Sequence, residues 1–194
     1  MKKYFIFTLL AIAISCNCQN KNDLFNQFVK KFKECSLPIT NETYKKFDLY
    51  PNNPCNVTKL EFDLFIKNNS DNDRFWIYRL YSKKNPNYFN YVTGLRFPFY
   101  INNDLIILIY FRDYSTEDYI GGKTETILSI FSKKGNIISK IPIAGGYGDT
   151  LTFDSKIYSP EKIEINYTKY SEKGETKYAK YYCIQKDGEI VLKK

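Results

Sequence analysis

The sequence predicts a mainly β domain, an antiparallel meander that forms a barrel-like or sandwich-like sheet, with one amphipathic helix in front of it. Three observations lead to this fold class. Apolar and polar residues alternate along most segments after residue 59, and glycine-containing turns separate these segments. The 18 Tyr and 15 Phe residues are types that favour strands. We expect about eight to ten strands at this spacing.

The helix is predicted at the start of the domain, where large apolar residues recur at intervals of one, three and four. These residues are Leu24, Phe25, Phe28, Val29 and Phe32. Such a stripe usually packs against a sheet, and we prefer that interpretation. The alternative is that the helix lies on a membrane, with Lys30, Lys31 and Lys33 at the headgroups.

The first strands are predicted at residues 59–68, 74–82, 88–97 and 104–113. The first of these, KLEFDLFIKN, alternates apolar and polar residues and is typical of a half-buried strand. The last is apolar from Leu105 to Phe111, which indicates a central strand covered on both faces.

The later strands are predicted as hairpins. Residues 123–132 and 136–144 are joined by a turn in which Gly135 supplies a positive φ. Residues 162–170, 177–185 and 189–194 continue the meander through turns that contain Gly174 and Gly188. We also expect the glycines of IAGGYGDT to form a loop between two strands, since no Lys-Ser/Thr pair or helix follows them.

The N-terminus has the pattern of a secretory signal. Residues 1–3 are MKK, and an apolar run follows from Tyr4 to Ile14. The run is too short for a membrane-spanning helix, which needs about 20 apolar residues. We therefore expect residues 1–15 to be a signal peptide and the protein to be exported.

Residues 13–16, Ala-Ile-Ser-Cys, resemble the lipobox of bacterial lipoproteins, in which a small residue precedes a cysteine. The chain is also similar in composition to small envelope lipoproteins of bacteroidete-type bacteria. The resemblance implies that Cys16 carries diacylglycerol and anchors the protein in the cell envelope, at the outer membrane on its periplasmic or surface side. Residues 16–21 are then a lipidated tether and residues 22–194 a single β-rich domain. The alternative is cleavage after Ala13 at an A-x-A site, which would release a free protein.

Four other cysteines remain if Cys16 is lipidated, and an oxidising compartment permits three pairings among them. A disulfide between Cys35 and Cys55 would close a Pro- and Asn-rich loop and contribute about 3 kcal/mol in the chain-entropy model. Cys18 and Cys183 would then tie the N-terminal segment to a late strand. The alternative is that all four are reduced and pack as small hydrophobic residues.

The absence of histidine limits the chemistry that this chain can perform. It excludes Ser-His-Asp and Cys-His nucleophile systems, and the four cysteines are too far apart in sequence for a typical zinc site. We expect no cofactor and no metal. Paired carboxylates at Asp113, Glu117 and Asp118 are the best candidates for glycosidase chemistry, but acids between two strands are usually a solvated loop. We therefore expect the protein not to be an enzyme.

The high content of aromatic residues is compatible with a binding function. Tyrosine combines apolar area with a hydroxyl group, so rows of exposed tyrosines favour a protein or glycan partner. The candidate binding surface comprises Trp76, Tyr78, Tyr88, Tyr91, Tyr100, Tyr114 and Tyr119. The alternative interpretation is that these residues only reflect strand propensity.

Charge and location narrow the class of partner. The net charge is +8, but the lysines are scattered and form no run of five like charges. Nucleic acid is disfavoured because the protein is expected to be exported. We expect a non-enzymatic binding or structural module held at the membrane. The alternative is an inhibitor or immunity lipoprotein that blocks a cell-wall hydrolase or a toxin, for which positive charge would suit an acidic target.

The lipid anchor is directly testable by intact-mass measurement of protein extracted from membranes. We expect the mature chain to begin at Cys16 and to carry the mass of a diacylglycerol group. An unmodified chain that begins at Ile14 would contradict the anchor and support the A-x-A alternative.

Overall fold

The computed structural model describes residues 21–40, 42–43, 57–67, 91–97, 104–116 and 119–193, with the side chains of all but 91–93, 113–116 and 119–124. The strand predicted at 74–82 lies outside these residues. So do the candidate site residues Cys16, Cys18, Cys55, Trp76, Tyr78, Tyr88 and Tyr100.

The described residues form nine strands and are helical at 21–30, 42–43 and 59–66. Helix α1 covers residues 21–30, and α2 covers Lys59–Glu61 and continues as a π-helix over Phe62–Ile66. The strands are β1 (Lys33–Glu34), β2 (Tyr91–Arg96), β3 (Leu105–Thr116), β4 (Tyr119–Ser132), β5 (Ile137–Tyr147), β6 (Leu151–Ser159), β7 (Lys162–Ser171), β8 (Gly174–Ile184) and β9 (Ile190–Leu192).

The strands form one sheet in the order in which they occur in the chain, from β1 to β9. Neighbours pair antiparallel except β1 and β2, which pair parallel. The predicted mainly β meander is therefore confirmed. The sheet is open rather than closed, since β1 and β9 end the strand order of the described chain. The sheet is nevertheless curled, since β5 lies close to the turn before β9. Ser139 Oγ in β5 donates a hydrogen bond of 2.5 Å to the carbonyl oxygen of Gly188 in that turn.

The strand predicted at residues 59–68 is wrong, because this segment is α2 and its π-helical continuation. Thr58 and Glu61 form a capping box, in which Thr58 Oγ1 accepts from the Glu61 amide at 3.3 Å and Glu61 Oε2 accepts from the Thr58 amide at 2.8 Å. The buried residues Phe62, Phe65 and Ile66 are spaced by three and one, which places them on one helical face. The alternation in the sequence is thus also compatible with a helix.

Strand β3 separates two hydrophobic clusters. Its odd-numbered residues from Leu105 to Phe111 belong to one cluster, which also contains Leu95, Leu128, Ile130, Ile143, Phe153, Ile157, Ile163, Ile165 and Ile184. Leu108 and Tyr110 belong to the other cluster, which contains the buried side chains of α1 and of the π-helix. The prediction of a central strand covered on both faces is confirmed.

Helix α1 packs on the sheet through the stripe identified in the sequence. Phe25, Phe28, Val29 and Phe32 are all buried in the cluster with Tyr110, Ile127 and Phe131. Gly135, in the turn after β4, has a φ of 74°, and a Cβ there would lie 2.8 Å from the Phe25 ring. The same glycine therefore permits both the predicted hairpin turn and the approach of the helix. No helix among the described residues is long and apolar enough to cross a membrane.

Removal of the Phe28 ring tests this packing. Phe28 is fully buried, and its ring lies 5.1 Å from that of Phe32 and 5.3 Å from that of Phe65. We expect Phe28→Ala to lower the free energy of unfolding by about 3 to 5 kcal/mol, measured by chemical denaturation. Leu60→Ala is the matched control, because Leu60 is 56% exposed and its loss should change stability by less than about 0.5 kcal/mol. Equal effects of the two substitutions would contradict the packing of α1 on the sheet.

Candidate functional site

An open groove of 690 Å³ crosses strands β6, β7 and β8 and forms the candidate site. Its lining residues are Thr40, Glu42, Asp154, Ser155, Lys156, Asn166, Tyr167, Thr168, Lys177, Tyr178 and Ala179. Strand register brings them to one level, since Asp154 pairs with Asn166 and Asn166 pairs with Ala179. We call this feature the β6–β8 groove.

The segment that contains Thr40 and Glu42 reaches the groove through a bridge to β6. Ile39 and Ile157 exchange two backbone hydrogen bonds, of 3.0 and 2.9 Å, and both side chains are buried. Because these residues are 118 positions apart in sequence, no local pattern could have indicated that they meet. The bridge fixes the side of the groove next to β6.

A column of aromatic rings runs from the core to the groove. The Tyr178 ring stacks on that of Tyr167, with centroids 5.0 Å apart and an angle of 9° between the planes. Tyr167 stacks on Phe153 at 5.6 Å, and Phe153 meets Tyr147 edge-on at 5.5 Å. Tyr178 is 42% exposed, whereas Phe153 is buried. The groove therefore carries one exposed ring that rests on a column anchored in the core.

The charges along the groove balance. Glu42 and Asp154 supply two carboxylates, and Lys156 and Lys177 supply two ammonium groups. Thr40, Asn166 and Thr168 add hydroxyl and amide groups, which both donate and accept hydrogen bonds. Lys180 places its Nζ 5.5 Å from the centre of the Tyr167 ring, a cation–π contact that supports the column. This arrangement suits a polar ligand without net charge.

A buried ion pair lies across β3 and β4. Arg112 Nε donates to Glu125 Oε2 at 2.5 Å, the guanidinium also contacts this oxygen through Nη2, and the Tyr147 hydroxyl donates to Oε1. Arg112 and Glu125 are 9% and 6% exposed. The Glu125 carboxylate is thus engaged on both oxygens by donors. Breaking such a buried pair on one side costs about 3 to 5 kcal/mol, so its role is structural.

The sequence-predicted aromatic surface is only partly described. Tyr91 lies in β2 and pairs with Arg112, and Tyr114 and Tyr119 lie in β3 and β4 near their connection. The binding role of these tyrosines stays a prediction. Tyr167 and Tyr178 were not singled out from the sequence, although the hairpin turn at residues 171–174 places them opposite each other. Counting outward from that turn would have paired them.

The structure describes part of the acidic cluster and all of the glycine-rich segment singled out in the sequence. Asp113 lies within β3, paired with Thr124. The strand extends beyond its predicted end at residue 113 to Thr116, so Asp113 is part of the sheet and not of a loop between strands. Glu117 and Asp118 lie outside the described residues. The expected glycine loop is shorter than predicted. Gly145 and Gly146 lie within β5, because both pair with β4 and with β6, and only Gly148 lies in the turn before β6.

Two cysteines, Cys35 and Cys183, lie in the described residues, and no disulfide joins them to each other. Cys35 Sγ donates to the carbonyl of Arg96 at 3.3 Å, and burial raises the pKa of this thiol to about 11. Cys183 lies in β8. Both of the predicted disulfides involve a cysteine outside the described residues, so the pairings stay predictions.

No group of three or more Cys, Asp or Glu residues in the described ranges is placed to hold a metal ion. Comparison of the chain with protein-family models, with curated proteins and with solved structures gives no match in any of the three.

The column of rings predicts how stability depends on alkaline pH. Burial, followed by the hydrogen bond to Glu125, raises the pKa of Tyr147, and burial, followed by Tyr182, raises that of Tyr167. Above the unfolded tyrosine pKa of about 10, the unfolded chain loses these protons while the folded chain keeps them, so stability falls as pH rises. Each retained proton contributes about 1.4 kcal/mol per pH unit to that slope.

We expect Tyr147→Phe to reduce this slope by about one proton between pH 10 and 12, measured from urea denaturation at several pH values. Tyr170→Phe is the control, because Tyr170 is an exposed tyrosine outside the column. An unchanged slope in Tyr147→Phe would contradict the raised pKa of this residue.

Proposed function

We propose that this protein is an exported, lipid-anchored module of the bacterial cell envelope that binds a neutral oligosaccharide in the β6–β8 groove without catalysing a reaction. The observation that carries this proposal is the exposed ring of Tyr178, held by the stack on Tyr167 beside a charge-balanced polar groove. The signal sequence and the lipobox-like residues 13–16 support the export and the anchor.

The chemistry of the groove favours a carbohydrate. A sugar ring presents a C–H face that can pack on an aromatic ring, and hydroxyl groups around its edge that both donate and accept hydrogen bonds. Tyr178 offers the aromatic face, and its own hydroxyl group can both donate and accept a hydrogen bond. A strongly acidic ligand would meet Glu42 and Asp154, and a strongly basic one would meet Lys156 and Lys177.

The support beneath Tyr178 makes it suited to binding. An aromatic residue that is already fixed in its bound position loses little conformational entropy when a ligand arrives. Tyr167 holds the lower face of the Tyr178 ring, and Phe153, which is 5% exposed, holds Tyr167. The platform is therefore preorganised by the core.

A substitution at Tyr178 tests the proposal. We expect Tyr178→Ala to weaken binding of neutral oligosaccharides, such as cellohexaose and hexa-N-acetylchitohexaose, by about tenfold, equivalent to about 1.4 kcal/mol, in isothermal titration calorimetry. Tyr158→Ala is the matched control, because Tyr158 is 40% exposed, lies outside the groove and contacts Lys162 through a cation–π interaction. It should leave the affinity unchanged.

Three results would count against the proposal. Equal losses in both variants would show that the groove is not the site. Preferential binding of an unstructured peptide over the oligosaccharides would indicate a protein partner. Hydrolysis of the oligosaccharide by the wild-type protein, followed by chromatography, would contradict a purely binding role and direct attention to the groove carboxylates Glu42 and Asp154.

A further inference from the structure

Lys21 and two turns define one end of the molecule, which we call the tether end. Lys21 Nζ donates to Asn136 Oδ1 at 3.1 Å, which places the start of the described chain at the turn between β4 and β5. The turn between β8 and β9 lies beside it, since a Cβ on Gly188 would be 3.0 to 3.2 Å from Leu105, Ile130 and Ile138. The tether end thus consists of Lys21, residues 133–136 and residues 185–189.

The length of the tether, residues 16–21, limits the distance between this end and a membrane. Five peptide units separate Cys16 from Lys21, and a fully extended chain of this length spans at most about 18 Å. Strand β8, from Gly174 to Ile184, is about 33 Å long at the usual rise per residue. The turn between β7 and β8, at the opposite end of that strand, is therefore farther from Lys21 than the tether is long.

The two ends of the molecule also differ in net charge. The charged residues of the tether end are Lys21, Lys133, Lys134, Lys186, Asp187 and Glu189, four positive and two negative, and Asp104 next to it pairs with Lys133, which leaves an excess of one positive charge. Those described around the opposite end are Lys169, Lys173, Lys177, Asp149, Glu172 and Glu175, which balance. Lysines close to an anionic phospholipid surface are attracted to it within about one Debye length.

We infer that the tether end docks on an anionic phospholipid surface and that the β6–β8 groove is held away from it. This inference rests on the lipid anchor of the proposed function. Tyr178 is six residues from Ile184 along β8, which places the groove about 20 Å from the tether end along the strand. A ligand in the groove would then be reached from the side facing away from the membrane.

Lysine acylation read out by peptide mass spectrometry tests the orientation. The lipidated protein in vesicles of phosphatidylethanolamine and phosphatidylglycerol is compared with the Cys16→Ser protein mixed with the same vesicles. We expect Lys133, Lys134 and Lys186 to react about threefold or more slowly in the anchored protein, because the headgroups cover them. Lys173 and Lys177 should react equally in both samples, which makes them internal controls.

The outcomes separate the orientation from the anchor. An intact mass without diacylglycerol on Cys16 would refute the anchor and, with it, the proposed location. A lipidated protein in which Lys173 and Lys177 are protected, or in which both ends react as in the Cys16→Ser sample, would overturn the orientation alone. Protection confined to the tether end of the lipidated protein would support it.

Discussion

The structure depends on covering both faces of β3. This strand is apolar at nearly every position from Leu105 to Phe111, and its side chains alternate between two buried clusters. Burial of each such side chain contributes about 1.5 to 3 kcal/mol, so neither face can be left in water. Helix α1 and the π-helix that follows α2 cover one face, and strands β6 to β9 curl over the other. The N-terminal helix is consequently part of the core.

The same constraint positions the candidate site. Ile163 and Ile165 on β7 face the cluster under β3, and Tyr167 is the next residue on that face of the strand. Tyr178 lies opposite Tyr167 on β8, where the strand has passed beyond the buried cluster. The Tyr178 ring is therefore a continuation of the hydrophobic core toward solvent, which explains why an exposed aromatic residue can be held in one place.

The sequence predicts the elements whose signals are local. Gly135, Gly174 and Gly188 all have positive φ in hairpin turns, and the apolar run of β3 identifies the central strand. The prediction from sequence fails at residues 59–66. The apolar residues there fit both a strand and a helix, and the capping box of Thr58 and Glu61 favours the helix. The groove could not be predicted, because it combines three strand registers with the distant bridge from Ile39 to Ile157.

The buried ion pair of Arg112 and Glu125 fixes the register of β3 against β4, which the alternation of apolar residues does not determine. A slip of two residues between β3 and β4 would keep every side chain on its own face, so the hydrophobic pattern alone would tolerate it. The slip would, however, place Arg112 opposite Ile127 or Lys123 instead of Glu125, and would leave a buried charge without its partner. The pair therefore selects one register. Tyr147 in β5 donates a hydrogen bond to the same carboxylate, so the ion pair also fixes the position of β5. The aromatic column begins at Tyr147 and therefore depends on the same register.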